Sequence, residues 1–249
     1  MKAIMRRSLA GLALACCAAA QPAMANVVIT GTRVVYNSDA REVTIKLNNP
    51  GKEPALVQAW TDRGNAKSTP DTADAPFVIM PPIFRVDPGK SQTLRMTFTQ
   101  EALPQDRESL FWLNVLDVPP LPQKAGEASN FLQIAFRSRL KIFYRPTGLP
   151  GSPDEAADKV DWKLVKNASG KGYALRGHNG SPFHVSFNLT ALLWNGREYK
   201  SDGGMIAPQA SEDFELNGLS AAPAGKAMVK YETINDYGAP VSHQVELKF

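Results

Sequence analysis

The stretch Asn130 to Pro146, NFLQIAFRSRLKIFYRP, decides how the rest of the chain is read. Leu132, Ile134, Phe136, Leu140, Ile142 and Tyr144 share one parity, interrupted only by Ser138. Gln133, Ala135, Arg137, Arg139 and Lys141 hold the other, with Phe131 and Phe143 as apolar exceptions near its ends. A period of two over this length predicts one long β-strand, far beyond the usual strand of about 5–6 residues. A strand that outruns its sheet implies that part of it pairs with something else.

Upstream, the same period recurs in shorter pieces. Val43, Ile45 and Leu47 alternate with polar neighbours, and Thr93 to Thr99 alternates again. Ala55 to Trp60 is a compact strand, and Phe77 to Met80 and Ile83 to Val86 flank Pro81-Pro82. Leu110 to Val118 is strongly apolar and ends at Pro119-Pro120; Leu121 to Asn130 then leads into the long strand. Asn48-Asn49-Pro50-Gly51 and Asp87-Pro88-Gly89-Lys90 are turns. About seven strands with such punctuation predict an immunoglobulin-like sandwich. Downstream, Pro146 to Gly151 breaks the pattern as a linker would. Asp154 to Asp161 suits a short helical turn. Trp162 to Val165, Tyr173 to Arg176, Phe183 to Leu189, Ala227 to Thr233 and Val241 to Phe249 read as strands of a second sandwich or partial barrel. The fold expected is all-β in two domains: 26–146 and 152–249, joined by a linker at 147–151.

Residues 1–25 read as a secretory signal peptide. Lys2, Arg6 and Arg7 precede an apolar run from Leu9 to Ala20, and Ala23-Met24-Ala25 is a small-x-small cleavage site. The run is too short to span a bilayer, which takes roughly 20 residues. Cleavage would remove both cysteines, so the exported chain is expected to rely on its core rather than on disulfides. It would also remove those three of the 28 basic residues, leaving them nearly balanced by 24 acidic ones. Nothing in that balance favours nucleic acid or membrane surfaces.

Catalytic patterns are sparse. His178, His184 and His243 have no metal-ligand spacing, and His184 reads as an exposed strand histidine. There is no G-x-S-x-G, P-loop or G-x-G-x-x-G motif. Gly170-Lys171-Gly172 and Asp202-Gly203-Gly204 read as hairpin turns, and Asp106/Glu108 and Asp71/Asp74 as ordinary loop carboxylates. No enzyme, cofactor, metal or nucleotide is expected. The four tryptophans, Trp60, Trp112, Trp162 and Trp194, lie in or beside strands and read as core. The basic stripe Arg137/Arg139/Lys141 reads first as a solvated face. Lys141, however, sits within apolar sequence beside the linker, and Arg33 interrupts an apolar first strand. Two such cations in one domain would suit a carboxylate or a phosphate if they met.

Several of these segments, in order, resemble the PapD-like periplasmic chaperones of the chaperone–usher pilus pathway. GTRVVY (31–36), PPIFRVDPGKSQTLR (81–95), LPQDRESLFWLNVLDVPP (103–120) and RSRLKIFYRP (137–146) are similar to first-domain motifs of that family. TINDYG (233–238) resembles a second-domain motif, while GHNGSP (177–182) departs from the family's N-P-T-P type. The resemblance implies two immunoglobulin-like β-sandwich domains arranged in an L, with a cleft that receives a pilus subunit. It implies that Arg33 and Lys141 anchor the subunit's C-terminal carboxylate. It makes Leu132, Ile134 and Phe136 donor-strand residues for a pilin that lacks its last strand, and Glu108, Arg145 and Asp236 an inter-domain ion-pair set. Pro81-Pro82 resembles a turn in which a cis peptide is expected. The absence of a longer, cysteine-flanked insert at Leu121 to Asn130 resembles the short-loop subgroup. Location in the periplasm, delivery to an outer-membrane usher and self-capping of the free chain as a homodimer are further expectations. Two other readings stand beside this one: a structural pilus or adhesin subunit, and a secreted sugar-binding sandwich.

Overall fold

The computed structural model describes residues 27–120, 133–167, 170, 172–223 and 225–247. The signal segment, the Leu121 to Asn130 connection, donor residue Leu132 and Lys171 lie outside the described residues.

Alternating side chains build the first sandwich from β1 (Val28–Ile29), β2 (Arg33–Asn37), β3 (Val43–Asn48), β4 (Ala55–Asp62), β5 (Phe77–Met80), β6 (Ile83–Val86), β7 (Ser91–Phe98), β8 (Ser109–Val118) and β9 (Phe136–Arg145). One sheet has the order β1-β3-β7-β5 and the other β2-β9-β8-β4-β6. Inward positions such as Leu47, Leu94, Met96, Leu113 and Ile142 are fully buried between them. Each such side chain contributes about 1.5–3 kcal/mol through burial. The first strand is divided between the two sheets: β1 pairs antiparallel with β3, and β2 pairs parallel with β9. Gly31 between them has φ +94, where a side chain would be strained. The cis peptide precedes Pro81, at Met80–Pro81, rather than joining Pro81 to Pro82.

The long strand is shorter than its periodicity predicts. Its ladder with β8 starts at the pair Asp117–Phe136, and β8 ends at Val118, before two prolines that cannot donate to a ladder. Residues 133–135 therefore have no strand beside them in the described structure. Gln133 Nε2 instead donates to the Pro119 carbonyl at 2.6 Å.

The second sandwich opens with α1 (Pro153–Asp158), whose N-cap Ser152 accepts from the Glu155 amide at 3.2 Å. Pro153 sits in its first turn, where a missing N–H costs nothing. Next come β10 (Asp161–Lys166), β11 (Tyr173–Asn179), β12 (Val185–Trp194), β13 (Arg197–Ser201), β14 (Gly204–Ile206), β15 (Ala210–Glu215), β16 (Met228–Ile234) and β17 (Pro240–Glu246). They form the sheets β10-β11-β15 and β13-β12-β16-β17, with β14 also on β12. Asp202-Gly203-Gly204 is not a hairpin turn: β13 and β14 both pair with β12, and the glycines step the chain from one to the other. A Cβ on Gly203 would lie 2.6 Å from the Phe187 carbonyl oxygen, so the step requires glycine. The β12–β13 hairpin turns instead at Asn195-Gly196, both with positive φ, as a two-residue hairpin turn demands.

Candidate functional site

Strand β9 divides into two halves. Leu140, Ile142 and Tyr144 point into the core, at 7%, 0% and 4% exposure. The same face continues outward through Ser138 to Phe136 and Ile134, which are 60% and 51% exposed. The apolar stripe thus runs past the core it belongs to. The pairing divides at the same place: β2 covers β9 only from Lys141 to Arg145. Residues 136–140 have β8 on one side and, among the described residues, an unpaired edge on the other. An open edge with apolar side chains is a ready template for another strand.

At the boundary between the halves stand Arg33 and Lys141, facing each other as the first rung of the parallel β2–β9 ladder. Arg33 Nη1 donates to the Ile234 carbonyl in the second sandwich at 2.8 Å, and its buried Nε has no hydrogen-bond partner. Lys141 Nζ lies 3.5 Å from Ser186 Oγ. Neither cation touches a carboxylate among the described residues. Burial lowers the pKa of the Arg33 guanidinium, with Asp236 acting against it. Burial, and then the neighbouring Arg33, lower that of the Lys141 ammonium. Two partly desolvated cations on one rung are an unfavourable arrangement without an anion.

The cleft holding them is fixed by a second charged cluster. Arg145 Nε donates to Glu108 Oε1 at 2.7 Å, and its Nη1 and Nη2 fork onto Asp236 at 2.7 and 3.0 Å. Burial works against the Arg145 charge, but its bonds to Asp236 and Glu108 outweigh that and raise its pKa. Glu108, Arg145 and Asp236 therefore meet, with Arg145 joining the two sandwiches. His184 completes the group and overturns its reading as an exposed strand residue. Its side chain is 5% exposed, its amide donates to Glu108 Oε2 at 2.8 Å, and its Nδ1 lies 3.1 Å from that same oxygen. It precedes β12 instead of lying within it, so strand parity does not govern where it points. Nearby, Gly238 (φ +81) passes so close to the first sandwich that a Cβ would meet Thr32 Oγ1 at 2.5 Å.

The rest of the basic stripe is not a solvated face. Arg139 Nη2 donates to Asp62 Oδ1 at 2.7 Å, and Arg137 Nη2 donates to Asn114 Oδ1 at 2.6 Å. Arg137 stacks over Trp60 and Arg139 over Trp112, so half-buried Trp112 packs beneath an arginine rather than within the core. Asp62 is fully buried. Burial alone would raise its pKa, yet hydrogen bonds from Asn114, Ser68, Gly64 and Arg139 hold it below the ordinary carboxylate value. The network clamps the outer face of β9 to its own domain and leaves the opposite face free. Asp62→Asn is expected to cost roughly 2–4 kcal/mol at neutral pH by leaving two arginines short of their counter-charge. Because the folded pKa is depressed, that stability is present above the unfolded value of about 3.9 and is lost as pH falls through the folded value. Urea melts of both proteins from pH 7 to 3 test this, and equal midpoints throughout would refute it.

Comparison with known proteins agrees with this architecture. Residues 26–150 match the family model of the pili and flagellar-assembly chaperone PapD N-terminal domain, and residues 155–245 that of the PapD C-terminal domain. The chain is 41% identical over 234 residues to the probable fimbrial chaperone YadV of Escherichia coli K12, covering 93% of this chain and 94% of that one. It is 42% identical over 247 residues to the chaperone protein FimB/FhaD of Bordetella pertussis, covering 97% of both. The crystal structure of the YadV chaperone superposes with a TM-score of 0.76 at 40% identity, over 90% of this chain and all of that one. The chain belongs to the PapD family of pilus-assembly chaperones.

Proposed function

We propose that this pilus chaperone works in the periplasm, after removal of residues 1–25, through its two domains 26–146 and 152–249. It captures pilus subunits by lending them a β-strand and hands them to an outer-membrane usher. The observation that carries this reading is the apolar stripe of β9, which leaves the core at Ser138 beside a sheet edge that is open, among the described residues, as far as Arg33 and Lys141, neither of which meets a carboxylate there.

The direction of the partner strand follows from these features. Strand β2 runs parallel to β9 and begins at Arg33. A guest strand lying in line with β2 along residues 136–140, with its last residue against Arg33, also runs parallel to β9. Its terminal carboxylate then meets Arg33 and Lys141, whereas the reverse direction would present an ammonium to two cations. Charge thus selects polarity and register, while Leu132, Ile134 and Phe136 supply apolar surface for the groove of an incomplete pilin. Three such anchors contribute on the order of 5–9 kcal/mol gross, and association entropy offsets a comparable amount. The ion contact is therefore needed for a stable complex. Glu108, Arg145, Asp236 and His184 set the angle at which the second domain closes the cleft. A binding role of this kind requires neither catalysis nor a cofactor.

Co-expression with the pilin of the same assembly system and purification from the periplasm should give a one-to-one complex. Deleting the last residues of the pilin should abolish it. A complex indifferent to that deletion would refute carboxylate anchoring, and sugar binding with no subunit partner would refute the chaperone reading altogether.

A further inference from the structure

One aromatic ring stands between the two charged clusters of the cleft. Phe143 lies on β9 between Lys141 and Arg145, opposite in parity to the core residues Ile142 and Tyr144. It is nevertheless only 3% exposed, and it belongs to the core of neither sandwich. Polar side chains cover its ring instead. The central carbon of the Arg33 guanidinium lies over the ring, 5.8 Å from its centroid. The His184 imidazole, from the second domain, meets the same ring at 5.4 Å between centroids and 44° between planes. Through His184 the ring is joined to Glu108, and through Glu108 to Arg145.

Arg33 needs such a support. Its Nη1 donates to the Ile234 carbonyl at 2.8 Å, while its buried Nε has no hydrogen-bond partner. One hydrogen bond at one nitrogen does not fix the plane of a guanidinium. Lys141 stands on the same rung, and repulsion between the two charges favours a turn of Arg33 away from it. Asp236, which attracts Arg33, is already taken by the fork of Arg145. The negative face of an aromatic ring attracts a guanidinium at this distance, and does so more strongly where water is excluded.

We propose that Phe143 is a positioning residue for the carboxylate anchor: its ring face holds the Arg33 guanidinium beside Lys141, so that both cations converge on one carboxylate, and its contact with His184 ties that geometry to the inter-domain cluster. The inference rests on carboxylate capture at Arg33 and Lys141. It gives Phe143 a part in selectivity beyond its part in packing. A guanidinium that drifts off the ring leaves a folded chaperone with less preference for a free chain terminus.

The test titrates the exported protein with a synthetic peptide copying the last strand of its pilin, ending in either a free carboxylate or a carboxamide. The ratio of the two affinities reads the anchor alone, because strand pairing and side-chain burial are common to both peptides. Phe143→Leu keeps apolar bulk and removes the aromatic face. Replacing Phe143 by trifluorophenylalanine keeps the shape of the ring and withdraws electron density from its face. Phe143→Leu should lower the preference for the acid roughly 5- to 30-fold. The fluorinated ring should lower it in the same direction with little change in melting temperature. A native preference that survives fluorination overturns the positioning role alone, whatever Phe143→Leu does to stability. A native protein that binds both peptides equally, or neither, overturns carboxylate capture and the positioning role with it.

Discussion

Lys141→Ala is expected to abolish subunit capture while leaving the free chaperone as stable as before, or slightly more so. The separation follows from the sign of the pKa shift. A lysine whose folded pKa is lowered by burial and by Arg33 destabilises the fold at neutral pH. That penalty is fully present below the folded pKa and is relieved as pH rises through it toward the ordinary lysine value. Removing the ammonium removes the penalty, and its polar contact among the described residues, 3.5 Å to Ser186, is too long to hold the cleft together. In the complex the balance reverses, because a bound carboxylate loses half of its clamp. Truncating one member of a buried charge pair typically costs about 2–5 kcal/mol, or roughly 30- to 5,000-fold in affinity. Binding should also weaken as pH rises through the Lys141 pKa of the free protein, since the complex favours the charged form. Arg33→Ala should lose capture too, but less cleanly, because Arg33 also bonds the Ile234 carbonyl across the cleft. Thermal melts paired with pilin titrations decide the matter: full binding by Lys141→Ala refutes the anchor.

Sequence made the sandwich legible wherever one face of a strand is core and the other is water. Strands β3, β7 and β8 announce themselves because Leu47, Leu94 and Leu113 alternate with residues that face out or lie across the sheet. Arg33 and Lys141 stand out locally as cations within apolar strands, but their pairing, and the set Glu108, Arg145 and Asp236, come only through family resemblance, since no local pattern says that Arg145 and Asp236 meet. The true start of β9 was not legible. Period two reports which face a side chain takes, and it continues to Leu132 whether or not a neighbouring strand exists; the β8 partner stops at Val118. The Asp62 network was hidden for a related reason. Alternating arginines look alike whether they face water or a buried carboxylate contributed from β4. His184 escaped because it lies just ahead of its strand. Strands β13 and β15 escaped because their exposed residues, among them Glu198, Glu212 and Asp213, outnumber their buried ones.

The second large effect separates two residues of one stripe. Phe136 and Leu140 lie on the same face of β9, with Ser138 between them, yet they should fail in opposite ways. Leu140 is 7% exposed and belongs to the chaperone's own core. Leu140→Ala should cost roughly 2–5 kcal/mol of stability through lost burial and the cavity left behind. Phe136 is 60% exposed, so Phe136→Asp removes apolar surface from water and should leave the free protein's melting temperature unchanged or higher. In a complex the aspartate would have to enter an apolar groove as an unpaired charge. That, with the lost aromatic burial, should weaken capture by on the order of 3–5 kcal/mol, roughly 150- to 5,000-fold. Ile134→Asp should behave like Phe136→Asp, because Ile134 is also exposed on that face. Replacing outward Arg137 by lysine should spare apolar contact with a guest and act instead through the Asp62 network, as a stability loss. A Phe136→Asp protein that melted early and still bound pilin would mean that the stripe belongs to one protein. Normal melting without binding would mean that the strand is built for two.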